Sequence, residues 1–214
     1  LMQAFFEAWY GQVITAIVAV LLILVGIGIV AGRKKNRRQA TRMLVFSAAA
    51  IALATVLSFL KIVELPQGGS LTLFSMFAIT LIGYFYGPAQ GILCGMAYGL
   101  IQLILGPYVI HPAQLVIDYP LAFGMLGLSG FLNKRPDGLL AGYMLGVFGR
   151  LVMAVLSGVI FFADYAGEMD PFIYSVGYNI AYLGGEALLT AVVFMVVPAV
   201  KKTVERIKTI ALAQ

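Results

Sequence analysis

Apolar runs of about twenty residues recur along most of this chain, separated by short polar or turn-forming segments. A helix rises about 1.5 Å per residue, so each run is long enough to cross the roughly 30 Å hydrocarbon core of a bilayer. Few other structures satisfy the backbone of such segments in lipid, because every N–H and C=O must find its partner within the protein. Only 11% of the residues are charged, against about 25% in a typical soluble domain. The expected class is therefore an all-α integral membrane protein embedded in the lipid bilayer.

Seven spans are read in order: 12–31, 43–62, 71–86, 89–105, 112–132, 139–162 and 171–200. The first run is too long for a signal-peptide core and no small-residue cleavage site follows it. Trp9 and Tyr10 precede it as interfacial aromatics. The connecting segments include the turn-rich loop 64–70, a charged turn at 133–138 and an acidic loop at 163–170. Residues 201–214 form a basic tail read as an amphipathic turn or two.

Charge fixes the expected orientation. Twelve of the fourteen Lys and Arg residues lie in 33–42, at Lys134 and Arg135, or in the tail at Lys201, Lys202, Arg206 and Lys208. These segments all fall on one side if there are seven spans. The positive-inside rule makes that side cytoplasmic, with the N-terminus outside and the C-terminus inside, in the cell membrane. The formal charge of +5 is thus topological, and no nucleic-acid partner is expected. One Cys and one His supply no disulfide and no metal cluster.

The segment Tyr108–Pro120 departs most from plain hydrocarbon-facing sequence. Pro112 suits a first helical position. From there His111, Gln114 and Asp118 fall on one face, with Asp118 about two turns into an apolar span. An ionisable group at that depth points to function. Lys61, Arg150 and Glu186 are the other ionisable residues in or near spans. Lys61 is read as snorkelling to the outer interface. Arg150 is read as pairing with Asp118, Glu186 or backbone carbonyls, and Glu186 as a buried hydrogen-bonding group. Ser175, Asn179, Tyr182 and Glu186 form one polar stripe on the last span. Phe161, Phe162 and Tyr165 end the preceding span on the same side, as an aromatic belt or as the wall of a pocket.

Tyr108, Gln114, Asp118, Tyr119, Phe162, Tyr174 and Asn179 are thus expected towards the outer half. One carboxylate with aromatic faces and amides suits a small, planar, hydrogen-bonding and cationic ligand. No nucleophile–base pair, phosphate loop or cofactor motif is present, so no enzyme and no cofactor is expected. Glycines at 91, 95 and 99, at 124, 127 and 130, and at 142, 146 and 149 allow close helix approach. In the second span Ala48/Ala52 and Ala50/Ala54 form overlapping Ala-x-x-x-Ala pairs, for internal packing or for docking a partner membrane protein.

Between Met43 and Val200 the segments AIALATVLSF, GGSLTL, YGLIQLILG, HPAQLVIDYPLAFGMLGLSGF and SGVIFFADYAGEMDPFIYSVGYN resemble the thiamine-specific S-components of energy-coupling factor (ECF) vitamin transporters. The resemblance implies a six-helix substrate-binding bundle at 43–200, with an extra N-terminal transmembrane segment at 1–32, a basic linker at 33–42 and the tail at 201–214. It implies binding of thiamine or a thiamine-like precursor, docking on an ECF transmembrane subunit, and energy from cytoplasmic ATPase subunits. The docking face would be the Ala-x-x-x-Ala pairs of the second span. By position, Asp118 would balance ligand charge, Tyr174 and Asn179 would bind ring nitrogens, and Tyr108 and Phe162 would stack. Ala154 stands where the family has a pocket histidine, and Gly68 or Gly69 where it has a loop aromatic. Loops 64–70 and 163–170 would close the pocket. Two other functions fit the residues themselves: a stand-alone proton-coupled carrier using Asp118, Arg150 and Glu186, or a structural membrane subunit without ligand.

Overall fold

The computed structural model describes residues 37–213; the expected first span and the start of the basic linker, 33–36, lie outside them, and the rest of the linker, 37–42, is helical. Helix α1 spans Arg37–Ser58. A short antiparallel hairpin follows, β1 (Lys61–Glu64) and β2 (Ser70–Thr72), with Glu64 opposite Ser70 and Lys61 opposite Thr72. Then come α2 (Ser75–Tyr86), α3 (Pro88–Leu105), α4 (Pro112–Leu132), α5 (Gly138–Phe161), α6 (Pro171–Val196) and α7 (Pro198–Leu212). Five of these, α1, α3, α4, α5 and α6, are long and apolar enough to cross a membrane, and α2 is a shorter apolar helix.

Prolines mark the helix starts at 88, 112, 171 and 198, where a missing N–H costs nothing. Asp170 caps α6 by accepting from the N–H groups of Phe172 and Ile173 at 2.9 and 3.1 Å. The expected span 43–62 is displaced: its helix starts at Arg37 and ends at Ser58, and the chain pairs as a strand from Lys61. The span 71–86 likewise loses its first residues to β2. The seventh span stops at Val196, since Pro198 cannot continue its hydrogen bonding. What was read as a turn or two of tail is the 15-residue helix α7.

Large apolar side chains face outward around the bundle, with Leu44 70% and Met195 72% exposed, as lipid permits. Inside, buried polar groups pair with one another, as hydrocarbon demands. Ser129 donates to the Thr80 carbonyl at 2.7 Å, Tyr98 to the Ala54 carbonyl at 3.2 Å and Tyr143 to Thr190 at 3.1 Å. The glycine readings as internal packing hold between α3 and α4. A Cβ at Gly95 would meet the Phe123 carbonyl, and one at Gly99 the Tyr119 carbonyl.

The four alanines of the two Ala-x-x-x-Ala pairs on α1 divide. Ala54 is fully buried in the core and Ala50 packs against it, while Ala48 and Ala52 are exposed. Residues four apart share a face, and the two pairs are offset by two residues, about 200° around the helix. Ala50 and Ala54 therefore do not form a docking face.

At the end of the bundle remote from the hairpin, α7 folds back against α1, α2 and the 133–138 turn. The Lys208 ammonium donates to the Asn133 carbonyl at 2.8 Å and sits 3.7 Å from the centre of the Tyr84 ring. That partial burial pulls its pKa below the ordinary lysine value. Arg42 reaches the Ala213 carbonyl, and Lys201 pairs with Asp137 at 3.3 Å. The basic segments are thus gathered at one end.

Candidate functional site

The hairpin, the 106–111 loop and the 162–170 segment meet at the opposite end, over a cavity of about 240 Å³. It runs down between α3, α4, α5 and α6. Tyr108, Gln114, Asp118 and Tyr119 line it from the 106–111 loop and α4, Phe162 from the end of α5, and Tyr174 and Asn179 from α6. Arg150, Ala154, Tyr182 and Glu186 also reach it.

Asp118 sits at the start of a widened π-type turn, Ile117–Leu121, that contains Pro120. Proline has no N–H and its ring crowds the carbonyl four residues back, and the helix absorbs this by widening. Gln114 clamps the carboxylate in place. Its Nε2 donates to Asp118 Oδ2 at 2.5 Å and to the Tyr108 carbonyl at 3.0 Å, while its Oε1 accepts from the Ile110 N–H at 3.3 Å. Tyr119 holds the same loop, accepting from the Tyr108 N–H at 2.7 Å. One amide and one phenol therefore fix both the carboxylate and the loop above it.

His111 does not share the Gln114–Asp118 face. Its backbone is extended, so helical spacing does not apply to it. It caps α4, with Nδ1 accepting from the Ala113 N–H at 3.0 Å and its ring stacked on Phe161 at 5.1 Å.

The aromatic residues form two stacks at the mouth. Tyr108 lies on Phe162 at 6.0 Å with 26° between planes, and its hydroxyl meets that of Tyr165 at 3.2 Å. That contact raises the Tyr108 pKa. Tyr174 stacks on Tyr178 at 6.2 Å, and Tyr178 meets Tyr182 edge-on at 5.8 Å. Tyr178 also latches the hairpin tip. Its hydroxyl accepts from the Gly69 N–H at 2.9 Å and donates to the Pro66 carbonyl. A side chain at Gly69 would collide with that hydroxyl. Gly68 next to it has φ +86°, a conformation that favours glycine.

The polar stripe of α6 is bound within itself and to the hairpin. Asn179 donates to the Ser175 carbonyl at 2.9 Å and accepts from Tyr182 at 2.8 Å. Glu186 is a buried hydrogen-bonding group, as read. It accepts from Thr72 at 2.6 Å, from the Met76 N–H at 2.9 Å and from Ser75 at 3.4 Å. Arg150 departs from the reading. Among the described residues it makes no ion pair; its guanidinium lies 3.8 Å from the centre of the Phe123 ring. Lys61 pairs with Glu64 within β1 at 2.8 Å instead of extending alone to the interface. Among the described residues no group of three His, Cys, Asp or Glu side chains is placed to hold a metal ion.

Sequence reading passed over Tyr178 and Ser157 as site residues. Tyr178 is four residues from Tyr174, so helical spacing alone puts both on one face. Ser157 is a lone hydroxyl in an apolar span and carries no comparable signal.

These features define a polytopic helical membrane protein enclosing a polar, aromatic cavity sized for a small molecule. The family model described as "Thiamine transporter protein (Thia_YuaJ)" matches residues 44–206, and the chain belongs to that family, one of transporters and not of enzymes. It is 32% identical over 178 residues to the "Thiamine transporter ThiT" of Bacillus subtilis (strain 168), covering 74% of this chain and 91% of that protein. It is 28% identical over 149 residues to the protein of the same name from Lacticaseibacillus paracasei, covering 61% and 72%. The solved structure of ThiT from Listeria monocytogenes has the same fold, with a TM-score of 0.67 at 22% identity over 79% of this chain and 98% of that one.

Proposed function

We propose that this chain is the substrate-binding subunit of an ECF-type vitamin uptake transporter, and that thiamine or a thiamine-like precursor occupies the cavity. The observation that carries the reading is a clamped carboxylate, Asp118, in a cavity with paired aromatic rings at its mouth. A desolvated carboxylate and ring faces both favour a cationic heterocycle. Tyr108 and Phe162 stack on its rings, Tyr174 and Asn179 meet ring nitrogens, and Gln114 and Tyr119 hold Asp118 and the loop in register. The hairpin tip and the 163–170 segment close over it.

In this reading residues 43–200 are the transport unit, and the cavity opens away from the basic end, on the outer face of the membrane. The C-terminus is cytoplasmic and the N-terminus outside. Ala48 and Ala52 form the exposed small-residue strip that meets an ECF transmembrane subunit, and partner ATPases supply the energy. Calorimetric titration of the purified protein with thiamine, its phosphates and other B vitamins tests the proposal. Saturable one-to-one binding of thiamine supports it; no heat with thiamine at millimolar concentration refutes it.

A further inference from the structure

Arg150 lies in the middle of α5 and lines the cavity. Its guanidinium rests 3.8 Å from the centre of the Phe123 ring, and Phe123 is buried in the core. The charge therefore points into the bundle and not into lipid. Phe123 follows Asp118 by five residues on α4, so the guanidinium lies about 7 Å deeper than the carboxylate. A ring face attracts a cation but offers no lone pair. Among the described residues the guanidinium makes no hydrogen bond and no ion pair, and its nitrogens keep accessible surface. Ala154, one turn nearer the mouth on the same helical face, also lines the cavity and adds only a methyl group there. A cation so deep in a membrane bundle is costly and points to function.

Charge narrows what this floor accepts. Lys61, at the mouth, is neutralised by Glu64. Glu186 accepts from Thr72, Ser75 and the Met76 N–H, so neutral donors already occupy it. Of the other charges lining the cavity, Asp118 and Glu186 are negative and Arg150 is positive, which leaves one negative charge. A monocation brings the sum to zero. A phosphate on the same ligand would make it negative again, where unbalanced charge is costly. Arginine only donates, so the group that meets it is an uncharged acceptor.

We propose that Arg150 is a substrate-contacting residue, donating at the cavity floor to an uncharged oxygen on the substrate's tail. This rests on the function proposed above, in which Asp118 faces the cationic ring and Tyr174 and Asn179 meet the ring nitrogens, so that the tail oxygen is the acceptor left for the floor. The cavity then selects a cationic heterocycle that carries an alcohol over one with a plain alkyl tail.

The test compares thiamine with the analogue whose hydroxyethyl tail is replaced by ethyl, by calorimetry. The wild-type chain is expected to bind the analogue about 10–100-fold more weakly, the usual effect of losing a hydrogen bond to a charged group. In Arg150→Met the two ligands should bind within about threefold of each other. The ratio is the readout, because anything the substitution does to the fold or to the cation acts on both ligands alike. Should Arg150→Met fail to fold, Arg150→Lys keeps the charge and loses the planar fork, and the ratio should still fall at least about threefold. An undiminished ratio in the variant overturns the assignment, since the tail is then recognised elsewhere. Equal wild-type affinity for the two ligands also overturns it, the guanidinium then meeting water alone. Absence of thiamine binding by the wild-type chain overturns it together with the function on which it rests.

Discussion

Replacing Asp118 by Asn removes one charge and turns one acceptor oxygen into an amide donor. The amide has the same shape, and its oxygen still accepts from Gln114, which donates at 2.5 Å in the native site. The loop held by Gln114 and Tyr119 is therefore kept. What is lost is the attraction between a carboxylate and a cationic ring. At 4 to 6 Å and an effective dielectric of about 20, that attraction is about 3–4 kcal/mol, or about 10²–10³ in affinity. Calorimetry on Asp118→Asn should show that loss for thiamine. An uncharged isostere, with the quaternary ring nitrogen replaced by carbon, should bind the variant within about threefold of wild type. The comparison separates charge from shape. Equal losses for the two ligands would mean that the substitution disturbed the cavity; no loss for thiamine would mean that Asp118 does not face the cation. Either result would refute the electrostatic account of the site.

Tyr178→Phe keeps the stack on Tyr174 but removes both hydrogen bonds to the hairpin tip; at about 1 kcal/mol per bond, thiamine should dissociate about 5–30-fold faster by stopped-flow fluorescence, and an unchanged off-rate would exclude the latch. Glu186→Gln loses a carboxylate oxygen that accepts from the first turn of α2 or from Thr72, and should lower stability by about 2 kcal/mol in chemical denaturation. Gly99→Ala drives a methyl into the Tyr119 carbonyl; it should destabilise the bundle by about 1–3 kcal/mol and weaken thiamine binding, because the carbonyl it displaces belongs to the residue after Asp118.

The sequence by itself determined the class of protein and, among the described residues, the order of the apolar helices and the gathering of most basic residues at one end. Apolar length and loop charge act locally, through transfer of each segment into lipid, so they can be read without knowing which helix touches which. It also pointed to seven residues that line the cavity, in part because Gln114 and Asp118, or Ser175 and Asn179, lie on one face of any helix that contains them. Only the tertiary structure decided what each side chain meets. Arg150 was read as an ion-pair partner, yet packing sets it over Phe123; His111 was assigned to a helical face, yet it is the extended residue that caps the helix. The clamp of Tyr178 on the hairpin joins segments about a hundred residues apart. Ala50 and Ala54 turn inward for the same reason: a helix carries small residues on several faces, and only its neighbours determine which face is covered.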